Sequence, residues 1–92
     1  MEATGEKANQ SEVLIGDKKI GSYLGAISVC LMKGNTRITI LARGRKISKA
    51  VDIAEIARRE FNLKYGNIET YTEDMGNKRK VSVIRIELLK EV

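Results

Sequence analysis

Arg37-Ile38-Thr39-Ile40-Leu41-Ala42-Arg43-Gly44-Arg45-Lys46-Ile47-Ser48-Lys49-Ala50-Val51-Asp52 is the stretch that decides the fold. Its first six residues are rich in β-branched side chains and read as a strand. The next seven, 43–49, hold four cationic residues and no acidic one. From Ser48 to Phe61 the pattern turns helical: Val51, Ala54, Ala57, Arg58 and Phe61 share a stripe, with Ile53 and Ile56 on its flanks. Asp52 and Glu55 lie early in that helix and Arg58 and Arg59 late, which suits its dipole. Strand, cationic loop and helix in this order place guanidinium forks beside the free N–H groups of a helix start. That combination suits the binding of phosphate.

The pattern continues outward on both sides. Val13-Leu14-Ile15, closed by Gly16, reads as a short buried strand. Between Lys18 and Lys33 the residues Ile20, Tyr23, Leu24, Ile27, Leu31 and Met32 follow helical spacing, and Gly34-Asn35 suits a helix stop. Downstream, Ile68 to Glu73 alternates as a strand, Asp74-Met75-Gly76-Asn77 reads as a tight turn, and Val81 to Leu89 is a long closing strand. The last two strands form a hairpin, expected to be short. The element order is β-α-β-α-β-β. It predicts an α+β two-layer sandwich, a four-stranded mixed sheet backed by two helices. Residues 1–11 are small, polar and charged and are expected to form a disordered tail, leaving 12–92 as the domain.

Ninety-two residues make one small domain, which gains from burial against a second copy. With three Tyr, one Phe and no Trp, its core is aliphatic. The lone Cys30 sits among apolar residues and reads as a buried, inert thiol in a reducing compartment. The polar start resembles no leader and no apolar run reaches membrane-spanning length, so the chain reads as soluble and cytoplasmic. Net charge is +5, concentrated in 43–49 and in Lys78-Arg79-Lys80. Such clusters fit an anionic partner, or a surface laced with ion pairs, since 32% of residues are charged. Lys78-Arg79-Lys80 serves equally well as protection of a hairpin edge. Lys18 and Lys19 oppose the dipole at a helix start, which favours an anion there. The absence of histidine, of a phosphate-loop motif and of a His/Cys metal set argues against an enzyme, a metal and a cofactor.

Ile15-Gly16-x-Lys18, Tyr23, the run Ala42-Arg43-Gly44-Arg45-x-Ile47-Ser48-Lys49-Ala50-Val51-Asp52, and Val81-Ser82-x-Ile84-x-Ile86 together resemble Alba, the small basic chromatin family of archaea. The resemblance covers about residues 12–90. It implies the same β-α-β-α-β-β fold and a dimer, with itself or with a paralogue, that coats and compacts double-stranded DNA and also binds RNA. By matching positions it implies a central binding face of Lys18, Lys19, Ser22, Tyr23, Arg43, Gly44, Arg45, Lys46, Ser48 and Lys49. The hairpin arm would add Lys78, Arg79 and Lys80. Asp52, Arg58 and Phe61 match a dimer–dimer contact. For Tyr23, core packing competes with base stacking, and for Phe61 core closure competes with self-association. Asp17 departs from the family pattern, which commonly has a lysine there. The family match leaves two further readings: an RNA-binding ribonucleoprotein component, and a structural heterodimerisation partner.

Overall fold

The computed structural model describes residues 3–7 and 10–91. Its elements are β1 (Ala3–Lys7), β2 (Gln10–Leu14), α1 (Ile20–Met32), β3 (Arg37–Arg43), α2 (Ile47–Glu60), β4 (Lys64–Gly76) and β5 (Arg79–Leu89), with a single 3₁₀ turn at Gly44–Lys46. From β2 onward the order is the expected β-α-β-α-β-β. The sheet runs β1-β2-β3-β5-β4. Parallel pairing joins β2 to β3, and antiparallel pairing joins β3 to β5 and β5 to β4. It follows that β2, β3 and β4 all point the same way, and that the segments leaving them emerge at one end of the sheet.

The disordered tail expected over 1–11 is corrected. Ala3–Lys7 pairs antiparallel with β2 as a fifth strand, and Gln10 and Ser11 belong to β2 itself. Met1, Glu2, Ala8 and Asn9 lie outside the described residues. Composition misled here because an edge strand pairs through its own unpaired N–H and C=O groups, and that requires no apolar side chain.

The core is aliphatic, as its composition requires. Ile38, Ile40 and Ala42 of β3 and Ile84, Ile86 and Leu88 of β5 face the helices. Tyr23, Ala26, Ile27 and Cys30 of α1 and Ala50, Ile53, Ala54 and Ala57 of α2 cover them. Cys30 is a free thiol in this core. Three alanines on the buried face of α2 let its axis approach the sheet closely. Two apolar positions differ from the expected stripes. Met32 is 83% exposed because, nine residues from Tyr23, it lies on the side of α1 opposite the buried face, and Val51 is 41% exposed because the buried face of α2 centres on Ala50 and Ala54.

Both helices stop in the same way. At the end of α1 the Asn35 N–H reaches Cys30 O and the Gly34 N–H reaches Leu31 O, with Gly34 at φ +97°. This is a Schellman closure, at the residues expected to stop the helix. At the end of α2, Leu63 N–H donates to Arg58 O, and Asn62 at φ +56° takes the left-handed position.

Both hairpin strands begin earlier than the sequence pattern marks, β4 at Lys64 and β5 at Arg79. β4 has 13 residues, and the tight turn is Asn77-Lys78, both left-handed (φ +48° and +61°), in place of the expected 74–77. Two one-residue bulges in β4, at Tyr65/Ile68 and at Asp74/Gly76, break its alternation and hid its true length. β3 ends opposite Val83, so Arg79–Ser82 pairs with β4 alone. That overhang makes an arm roughly 13 Å long at ~3.3 Å per residue.

Candidate nucleic-acid interface

Two segments meet at the end of the sheet where β2 and β3 finish: the turn 16–19 before α1 and the 3₁₀ turn Gly44–Lys46 before α2. Parallel neighbours with helical crossovers must place both turns there, side by side. Tyr23 holds the first turn. It is fully buried, and its hydroxyl accepts from Gly16 N–H (2.7 Å) and Lys18 N–H (3.1 Å). Lys49, on the first turn of α2, spans the two segments. Its Nζ donates to the carbonyls of Gly16 (2.9 Å) and Lys18 and lies 5.2 Å from the centre of the Tyr23 ring. Lys46 Nζ pairs with Asp17 across the same junction.

Gly44 opens the 3₁₀ turn at φ +55°, a conformation that a β-carbon disfavours. Neither helix has a side-chain cap or an acidic residue in its first turn; Ser22 N–H donates to Lys19 O and Ile47 N–H to Gly44 O, and the positive end of each helix dipole has no acidic counter-charge in its own first turn. Lys18, Lys19, Ser22, Arg45 and Ser48 are exposed around this junction.

Arg43, last residue of β3, points to the face of the sheet without helices. Its Nε (2.7 Å) and Nη2 (3.4 Å) donate to the two carboxylate oxygens of Glu73 on β4, 30 residues away. The pair crosses β5 and ties the base of the arm to the loop. The hydrogen bond from Arg43 holds the Glu73 carboxyl below the usual range, and that from Lys46 does the same for Asp17. The Glu73 hydrogen bond in turn raises the Arg43 guanidinium. At the tip of the arm Lys78, Arg79 and Lys80 are exposed. Because β4 runs parallel to β3, this tip projects from the same end of the sheet as the two turns.

The structure thus brings the basic positions read from the sequence to one end of the molecule, but sorts them. Lys19, Arg45, Lys78, Arg79 and Lys80 have no ion-pair partner among the described residues. Arg43 and Lys46 are engaged by carboxylates, and Lys49 by backbone oxygens. Of the two readings of Tyr23, core packing is the one its position supports: its ring is inside the core and its hydroxyl is spent on two N–H groups. Glu73 was not foreseen. Its partner depends on strand register, which a single sequence leaves open.

The residues matched to a dimer–dimer contact lie on the far part of α2. Asp52 is exposed, and Phe61 is half-buried against the core. Within the chain Arg58 pairs with Glu55 (3.5 Å), not with Asp52, and lies 5.4 Å from the centre of the Tyr65 ring. Positions 52 and 58 are six residues apart on a helix and diverge in direction. Tyr65 also donates to Glu55. Among the described residues no group of three or more His, Cys, Asp or Glu could hold a metal ion, and no helix is long and apolar enough to cross a membrane.

Comparison with known proteins bears on the family and the fold. The profile of the Alba family matches residues 11–73. A protein of Nanoarchaeum equitans named DNA/RNA-binding protein Alba is 40% identical over 88 residues, covering 87% of this chain and 98% of its own. A protein of Picrophilus torridus with the same name is 41% identical over 86 residues, covering 89% and 96%. The solved structure of Alba from Thermoplasma volcanium superposes with a TM-score of 0.78 at 37% identity, covering 86% of this chain and 99% of that one. With its matched profile, near full-length relatives and shared fold, the chain belongs to the Alba family.

Proposed function

We propose that this chain binds nucleic acid through its phosphate backbone, as a symmetric dimer with itself or with a paralogue. It coats and compacts double-stranded DNA on the chromosome and takes RNA as well, with little sequence preference. One observation carries the reading: two basic turns and a basic hairpin tip, distant in sequence, converge at one end of the sheet. The names of the relatives, DNA/RNA-binding protein Alba, support both ligands. Exposed lysines and arginines beside uncapped helix starts suit phosphate, and few side chains there suit base edges, so contacts position more than they specify. Dimerisation is supported by apolar side chains left open on the helical side: Val51 on α2, and Ile68 on β4, 53% exposed opposite Ile86 of the core strand.

The test is the salt dependence of binding to a mixed-sequence duplex. A dimer that neutralises about six to ten phosphates loses roughly 10³–10⁵ in affinity between about 50 and 200 mM salt. A flat salt response refutes the reading. Competition between duplex DNA and duplex RNA of matched sequence then ranks the two ligands.

A further inference from the structure

Two of the four cations in 43–49 are neutralised by carboxylates from outside the loop. Glu73 is 30 residues from Arg43, and Asp17 is 29 from Lys46, so neither pair is a by-product of helical spacing. The Arg43 contact is two-pronged, Nε to one oxygen and Nη2 to the other. A guanidinium presents this same fork to a phosphate. Both pairs are open to water: the Arg43 and Glu73 side chains are 38% and 34% exposed, and Asp17 is 92% exposed. Surface ion pairs of this kind are weak and easily exchanged. The remaining loop cations are disposed differently, with Lys49 bound to carbonyls and Arg45 turned to solvent.

We infer that Arg43 and Lys46 form two phosphate seats which the free protein fills with its own carboxylates, Glu73 and Asp17, and that backbone phosphates of nucleic acid take these seats by displacing them. The inference rests on the phosphate-binding reading above and adds an internal competitor to it. The two carboxylates lower affinity in exchange for pre-aligned cations. They also discriminate against isolated or weakly charged anions, which must compete for each seat alone. A polyanion already held by Arg45 and the hairpin tip delivers its phosphates at high local concentration. The lowered pKa of both carboxyls, caused chiefly by the hydrogen bonds from Lys46 and Arg43, is the expected companion of such pairs.

The experiment compares the wild-type chain with Glu73→Gln, Asp17→Asn and Glu69→Gln, by fluorescence anisotropy on a short mixed-sequence DNA duplex over a salt series. Glutamine and asparagine keep one carbonyl oxygen for the cation and change little else. Glu69 lies on the same face of β4 as Glu73 but pairs with Arg85, 3.8 Å away, so it reports the effect of losing any nearby negative charge. Glu73→Gln and Asp17→Asn are each expected to bind roughly two- to fivefold more tightly. Because the same phosphates are seated with or without the carboxylates, the salt slope should stay close to that of the wild type while the affinity rises. Glu69→Gln should change affinity less than either. Unchanged or weaker binding by both variants overturns the inference, as does equal tightening by Glu69→Gln, while binding itself stands. A wild-type chain that does not bind the duplex overturns the binding reading as well, so the two failures are told apart.

Discussion

Tyr23 shows how much one buried hydroxyl decides. Removing it leaves the N–H groups of Gly16 and Lys18 without their acceptor beneath the turn. Tyr23→Phe is expected to lose about 1–3 kcal/mol of stability in urea denaturation. It should also weaken duplex binding although the ring is buried in the core. Gly44 is a second such residue. A side chain there meets only ordinary contact with Val81 (3.7 Å) but must sit at φ +55°, so Gly44→Ala should cost about 1–2 kcal/mol through backbone strain alone. The carboxylates set the pH response. Asp17, Glu55 and Glu73 are all held below their ordinary values, by hydrogen bonds from Lys46, Tyr65 and Arg43 respectively. A carboxyl depressed in the folded state adds stability above its unfolded value, and that stability is lost as pH falls through the folded value. With no histidine to titrate, the melting temperature should stay level from about pH 8 to 5 and fall below about pH 4. A step near pH 6.5 would contradict this account.

Among the elements, the β4–β5 arm joins order and charge most closely. Its turn forces Lys78 into the left-handed region at φ +61°. Lys78→Gly removes that strain and one charge together, so stability should rise by up to about 1 kcal/mol while duplex affinity falls. Denaturation and anisotropy on the same preparation check that the two move in opposite directions. The arm also shows where sequence reading reaches its limit. Both helices, the stop of the first at Gly34-Asn35, and the strands at 37–42 and 81–89 follow from the sequence, because apolar spacing marks the helices and β-branched residues mark the strands. β4 does not, because its bulges shift the alternation twice within 13 residues. β1 escapes for a different reason: it is held by backbone pairing along β2, and pairing leaves no mark on composition. The basic positions were legible as residue types, but which of them carry a partner depends on strand register and on the meeting of two turns.

For the whole molecule, assembly and charge layout matter most. If Val51 and Ile68 lie in a two-fold interface, Ile68→Asp should convert dimer to monomer in sedimentation at micromolar concentration and roughly halve the salt slope of binding. A variant that stays dimeric would remove this face from the interface. The fold itself follows from the parallel β2–β3 pair. That pair fixes both turns at one end, and β4 then carries the arm to the same end. Away from that end, on the face without helices, charge is balanced. Arg37 pairs with Glu87 (3.3 Å), Arg85 lies between Glu12 (3.6 Å) and Glu69 (3.8 Å), and Lys64 pairs with Glu91 (3.1 Å). Among the described residues the cations without an ion pair are densest at that pole, in Lys19, Arg45 and Lys78–Lys80, while Arg59 and Lys90 lie outside it, on a body with extents of 44 × 24 × 20 Å. Cations clustered in this way steer the chain toward a polyanion before contact. Encounters become productive in a larger share of collisions, and the association rate constant, more than the dissociation rate constant, should drop as ionic strength rises.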